Sequence, residues 1–255
     1  MAGSIAIAET PLVGLALWRA DDALVLGHRL SEWCGNAPVL EEDIALANLA
    51  LDLIGQARAL YDLAAEAESA GHDEDQFAYL RRERDYRNLL MLEQPNGDFA
   101  ATIARQFLYS AFVDLWWRAT VRSTEPRLAA IAAKAEKESA YHVRHSAEWL
   151  IRLGDGTEES HARAQAALEQ LWPYTGEMFE PEDAGLAAAG VCADPPTLRD
   201  AWNAKVDEVF ALATLQRPRD RWMQTGGRSG KHSEHLGHLL SELQYLQRAY
   251  PGARW

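Results

Sequence analysis

The chain has 255 residues, 48% of them apolar, enough for a sizeable core, and its few Pro and Gly are scattered, which excludes a disordered chain. A net charge of −13 disfavours nucleic acid, whose phosphates call for a dominant basic surface, and an anionic membrane surface. Two distant cysteines, Cys34 and Cys192, exclude a zinc or disulfide framework, and neither a signal peptide nor a membrane span is recognisable, so a cytoplasmic protein is expected.

Apolar periodicity predicts helix after helix, with no alternating strand pattern. The first helix covers about 11–33. The second follows Pro38; Glu41, Glu42 and Asp43 suit the positive end of its dipole and Gly71 stops it. Leu46, Leu49, Leu53 and Leu60 form one apolar stripe, with Leu51, Ile54 and Tyr61 in a second beside it, which predicts a helix inside a bundle. A third helix is expected over about 74–93. "QPNGD" is a turn with a cap at Asp98, leading into a helix that runs to about Thr124. On it, adjacent Trp116 and Trp117 leave two readings: one meets a second layer or another subunit, or the core is wide enough for both. Pro126 suits the first turn of a further helix that ends at "LGDG". Later helices are expected near 158–180 with a kink at Pro173, 197–216 behind a Thr197/Asp200 capping box, and 232–249. The expected fold is all-α: one domain over 1–255, with a four-helix core at about 38–154 and extra helices at about 11–33 and 158–250.

Such bundles house di-iron sites built from one Glu on each of two helices and a Glu-x-x-His on each of the other two. Asp52, Glu83, Asp114 and His142 lie on four helices in the right order. The second helix nevertheless has Tyr86 where His is needed, and three residues before His142 stands Ser139; Glu138 lies four before it. Each Glu-x-x-His has lost one half. A metal-free cluster is therefore expected, in which Asn48, Asp52, Gln56, Glu138 and His142 satisfy one another. His145, seven residues after Glu138, shares their face. His232, His235 and His238 recur at helical spacing, as metal ligands or as a solvated or interface face. "TGGRSGK" lacks the phosphate-loop spacing, but a mobile basic loop carrying Arg228, Lys231 and His232 could touch a ligand phosphate or a partner.

The runs "LSEWCGNAPVLEEDIALANLALDLIGQARALYDLAAE", "LEQPNGDFAATIARQF", "KESAYHVRHSAEWLIRLGDGT" and "QTGGRSGKHSEHLGHLLSELQYLQR" resemble the C subunits of bacterial phenylacetyl-CoA 1,2-epoxidases, from about Leu15 to Trp255. The resemblance implies a ferritin-like bundle and a structural, non-catalytic subunit of a multicomponent monooxygenase in phenylacetate catabolism. It further implies a catalytic ferritin-like A subunit holding the di-iron centre and the acyl-CoA, a small bridging B subunit, and a reductase using NADPH, flavin and an iron–sulfur centre. This chain would bind no cofactor; Asp52, Glu83, Tyr86, Asp114, Ser139 and His142 would be degenerate di-iron positions. The alternative is a di-iron oxygenase, active in its own right with substituted ligands.

Overall fold

The computed structural model describes residues 4–253, and the ends of the expected 1–255 domain lie outside them. Among the described residues the structure is all-α, with no strand. The chain divides into two compact units. One comprises the residues up to Trp33, Leu46–Pro95 and those from Gly226 onward; the other comprises Cys34–Ala45 and Asn96–Thr225.

The first unit holds α1 (Pro11–Ser31), most of α2 (Leu40–Glu68), α3 (Glu74–Tyr79) and α4 (Leu90–Glu93). Thr10 caps α1 through the Val13 N–H, with Pro11 in the first turn. Gly27 lets α1 approach α2 closely: a Cβ there would sit 3.2 Å from the Ala50 carbonyl oxygen and 3.1 Å from Ile54. After a long excursion the chain returns to this unit as α10 (Glu234–Leu243), which packs on α4, and α11 (Tyr245–Ala249).

The second unit is built on α5 (Phe99–Thr120), capped by Asp98 as expected through the Ala101 N–H. This helix packs against α6 (Pro126–Gly154), α7 (Glu158–Leu171) and α9 (Arg199–Leu212), while the short α8 (Ala184–Ala188) has no counterpart among the expected helices. Trp116 and Trp117 are both buried, ring edge against ring face at 4.7 Å, so the core is wide enough for both. A second aromatic cluster joins Trp172, Trp202, Phe179 and Phe210.

Four expectations need correction. The helix over 74–93 does not exist as one piece: α3 ends at Tyr79, a 3-10 turn covers Glu83–Asp85, Tyr86 is extended, and α4 begins at Leu90. The N–H groups of Arg87 and Leu89 donate to the carboxylates of Asp21 and Asp22 instead of to a helical ladder. Pro173 does not kink a helix over 158–180; α7 stops at Leu171 and Trp172–Phe179 is 3-10. Thr197 makes no capping box, because its hydroxyl turns back to the Asp194 carbonyl and α9 starts after Leu198. The stretch 232–249 is interrupted at Gln244, whose amide N–H groups donate to the Ala78 and Arg81 carbonyls.

Candidate functional site

The positions suggested by the di-iron pattern fall into two settings. On α5 and α6, Asp114 is buried and accepts hydrogen bonds from the Ser139 hydroxyl (3.2 Å) and the Arg118 guanidinium (2.8 Å). Burial raises its pKa, against the opposing pull of Arg118 and Ser139. Three residues after Ser139 lies His142, also buried. Glu138 is half-buried and pairs with Lys134 at 3.3 Å, while His145 Nε2 meets the Glu42 carboxylate at 2.9 Å. Glu138 and His145, on one helical face, thus each have a charged neighbour of their own.

In the other unit, Gln56 is buried and Asp52 half-buried on α2, but Asn48 is exposed, so it belongs to the surface of the helix and not to a core cluster. The neighbouring Leu51 is 66% exposed, so the second apolar stripe is only partly covered. Glu83 stands exposed on the 3-10 turn, whereas Tyr86 is buried with its hydroxyl donating to the Ala78 carbonyl. They do not share a helical face, because no helix joins them. Within either unit, no three His, Cys, Asp or Glu side chains among the described residues gather as metal ligands would.

The densest polar site lies in the first unit and includes Tyr86 but none of the other positions of the di-iron pattern. Asp21 and Asp22, side by side in α1, are fully buried. Asp21 receives both Arg81 terminal nitrogens, the Tyr61 hydroxyl (2.6 Å) and the Arg87 N–H (2.8 Å). Arg81 also donates to the Phe77 and Asp85 carbonyls and lies 4.2 Å from the centre of the Tyr86 ring. Asp22 receives Arg228 through both carboxylate oxygens (2.9 and 2.7 Å) and the Leu89 N–H (2.8 Å). A third buried acid, Glu93, takes the Ser233 N–H, the Asn88 amide and His232 Nδ1 at 2.8 Å.

His232 Nε2 in turn faces the Tyr86 carbonyl at 3.0 Å. Both ring nitrogens therefore meet acceptors, the arrangement of an imidazolium. Burial pulls its pKa down, but the hydrogen bond and charge of Glu93 outweigh this and the net shift is upward from 6.5.

These contacts correct one sequence reading. The Gly-rich loop is not a free basic loop: Arg228 and His232 are spent inside the protein, and only Lys231 points to solvent. Nor do the three spaced histidines form one face, since His232 precedes α10 in its buried pair and His238 is exposed. Two sequence signals mark the network: two adjacent acids in an otherwise apolar helix, "ALWRADDALVL", and the charged run "RRERDYR". A buried carboxylate that accepts backbone N–H groups and a forked guanidinium is fully used. The network fastens the 226–233 segment to α1 and to the extended 86–89 stretch, and it leaves no acid open to a substrate.

The raised pKa of His232 gives a pH prediction. A histidine that is more basic folded than unfolded stabilises fully below about pH 6.5, and the contribution is lost as pH rises through its folded pKa. Melting temperatures measured from about pH 6 to about pH 9 should therefore show His232→Gln costing most at the acid end, with the gap to wild type narrowing towards alkaline pH. A gap that widens with pH would mean that the imidazole is neutral in the folded protein.

Helical throughout, with no helix long and apolar enough to cross a membrane among the described residues, the molecule has the all-α ferritin-like fold of a phenylacetate-catabolic family. The chain belongs to that family: residues 3–255 match the one described as phenylacetic acid catabolic protein. It is 49% identical over 250 residues, 96% of this chain and 99% of the relative, to the Escherichia coli (strain K12) protein named as the C subunit of 1,2-phenylacetyl-CoA epoxidase.

Proposed function

We propose that this chain is a structural, non-catalytic subunit of a phenylacetyl-CoA epoxidase, pairing with a catalytic ferritin-like subunit that holds the di-iron centre. The observation that carries this reading is the apolar surface at the start of α2 and on α6. Leu40 is 72% exposed and Ile44 55%, one helical turn apart, with Val39 and Tyr141 exposed beside the Glu42–His145 pair in the same unit. Large exposed aliphatic side chains in a row are costly in water and suit a helical partner.

The residues at the degenerate positions do not fit a di-iron centre. A guanidinium already neutralises Asp114, Glu83 stands on a surface turn, and the Tyr86 hydroxyl is committed to a carbonyl. Electrons, dioxygen and the acyl-CoA would then be handled by the catalytic subunit, the bridging subunit and the NADPH-dependent reductase. This chain's part is to hold its sibling in an active assembly.

Co-expression with the catalytic subunit tests the pairing. Wild type should co-elute with it on gel filtration, and Leu40→Asp with Ile44→Asp should weaken the complex at least tenfold, because charges would be buried against an apolar partner. Since both side chains are exposed, the variant's own melting temperature should hold. Iron analysis tests the other half: near-stoichiometric iron, lost together with activity in His142→Ala, would make this chain an oxygenase with substituted ligands.

A further inference from the structure

In a chain of net charge −13, the stretch Arg217-Pro218-Arg219-Asp220-Arg221-Trp222 places three guanidiniums within five residues. All of it but Asp220 lines a cavity of about 490 Å³, together with Gln165 and Glu169 of α7 and Trp172 of the 3-10 segment after it. That volume is within the range of small-ligand sites.

The loop is anchored at both ends. Gln165 and Gln216 exchange two hydrogen bonds, the side chain accepting from the Gln216 N–H at 2.8 Å and donating to its carbonyl at 3.0 Å. The Gln224 N–H donates to the Pro173 carbonyl at 2.7 Å, and Met223 packs so closely on Gly176 that a Cβ there would stand 2.9 Å from it.

Between the anchors the polar groups divide into two sets. Arg217 is structural: it bonds Asp207 and Asn203 and stacks over Trp172 at 4.9 Å. Asp220 is structural too, accepting from Trp172 Nε1 at 2.9 Å. Arg219, Arg221 and Trp222 are exposed, with 73% of Trp222 open to solvent. The carboxylate of Glu169 is exposed at the same cavity.

We propose that this cavity binds a phosphorylated adenosine. Arg219 and Arg221 each take a phosphate group, and the Trp222 indole stacks on the base. Glu169 explains why the site would prefer a nucleotide to a bare polyanion: a carboxylate repels phosphate but accepts hydrogen bonds from ribose hydroxyls or an exocyclic amine. Two carriers share this chemistry, a coenzyme A thioester and a nicotinamide adenine dinucleotide phosphate. Either would be held by its adenosine end, away from its reactive end, so the site tethers and does not catalyse.

Calorimetry with adenosine 3′,5′-bisphosphate and the full-length chain at low salt tests this. Saturable binding at one site per chain is expected. Arg219→Ala with Arg221→Ala should weaken it at least tenfold, and so should Trp222→Ala, with unchanged melting temperatures because all three side chains are exposed. Adenosine alone and inorganic pyrophosphate alone should each bind at least tenfold more weakly than the bisphosphate. Tighter binding of coenzyme A than of NADPH would identify the acyl carrier as the source, and the reverse order the nicotinamide nucleotide; either supports the shared chemistry. No binding up to millimolar concentration overturns the proposal. So does binding that survives both variants, pyrophosphate that binds as well as the nucleotide, or an acidic peptide that displaces the nucleotide at lower concentration, which would mark a protein-docking patch.

Discussion

Asp21→Ala should cost about 3–5 kcal/mol of stability, because it strands a buried guanidinium. Arg81 is wholly enclosed, and Asp21 is the carboxylate that meets its two terminal nitrogens. The same substitution removes the acceptor of the Tyr61 hydroxyl and of the Arg87 N–H. Burial and the Asp21 charge together raise the pKa of Tyr61, so that hydroxyl stays protonated and needs its acceptor. At roughly 2–4 °C per kcal/mol for a chain of this size, the melting temperature should fall by about 10 °C. Asp21→Asn should cost less, since the amide keeps one acceptor for Arg81 or Tyr61. Removing both charges, with Arg81→Met beside Asp21→Leu, should recover much of the loss, as for other buried pairs replaced by apolar side chains of similar size. Chemical denaturation of the four proteins measures each arm, and a loss under about 1 kcal/mol for Asp21→Ala would mean that water reaches Arg81.

The sequence shows the helices it should show and hides what replaces a helix. Pro126, Asp98 and the acids before Ile44 mark ends through local chemistry, and α2, α5 and α6 begin within a few residues of the expected places. The stretch 80–89 defeats a local reading because its charged run holds no Pro or Gly to break a helix, while its backbone donors are claimed by Asp21 and Asp22, more than sixty residues earlier. Pairing at that separation leaves no periodic trace. The same limit applies to Arg228 and His232, which look like solvated loop residues until α1 and Glu93 are placed beside them. By contrast, the broken Glu-x-x-His pattern is legible from spacing alone, because residues three apart meet on one helix face. Ser139 and His142 do lie three apart on α6, whereas Glu83 and Tyr86 share no helix.

Gly154→Ala should cost about 3 kcal/mol, far more than a methyl group on a helix end normally does. In the sequence this glycine belongs to "LGDG" and reads as a helix stop. In the structure it is also a contact point: a Cβ would lie 2.2 Å from the Ala213 carbonyl oxygen and 2.9 Å from the Ala213 Cβ, at the end of α9. No rotamer relieves a clash with backbone, so α6 and α9 must separate. Separation strains the bonds that converge on the Gly154 carbonyl, from the Thr214 hydroxyl at 3.2 Å and His161 Nδ1 at 2.7 Å. Thr214 is already held at φ 56, a left-handed conformation uncommon for Thr, so this corner has little freedom to adjust. The expected fall in melting temperature is about 6–12 °C. Alanine at Gly14, where nothing lies within 4 Å of the added carbon, should instead be neutral or slightly stabilising, as alanine usually is inside a helix. Equal effects at the two positions would show that α9 moves freely against α6.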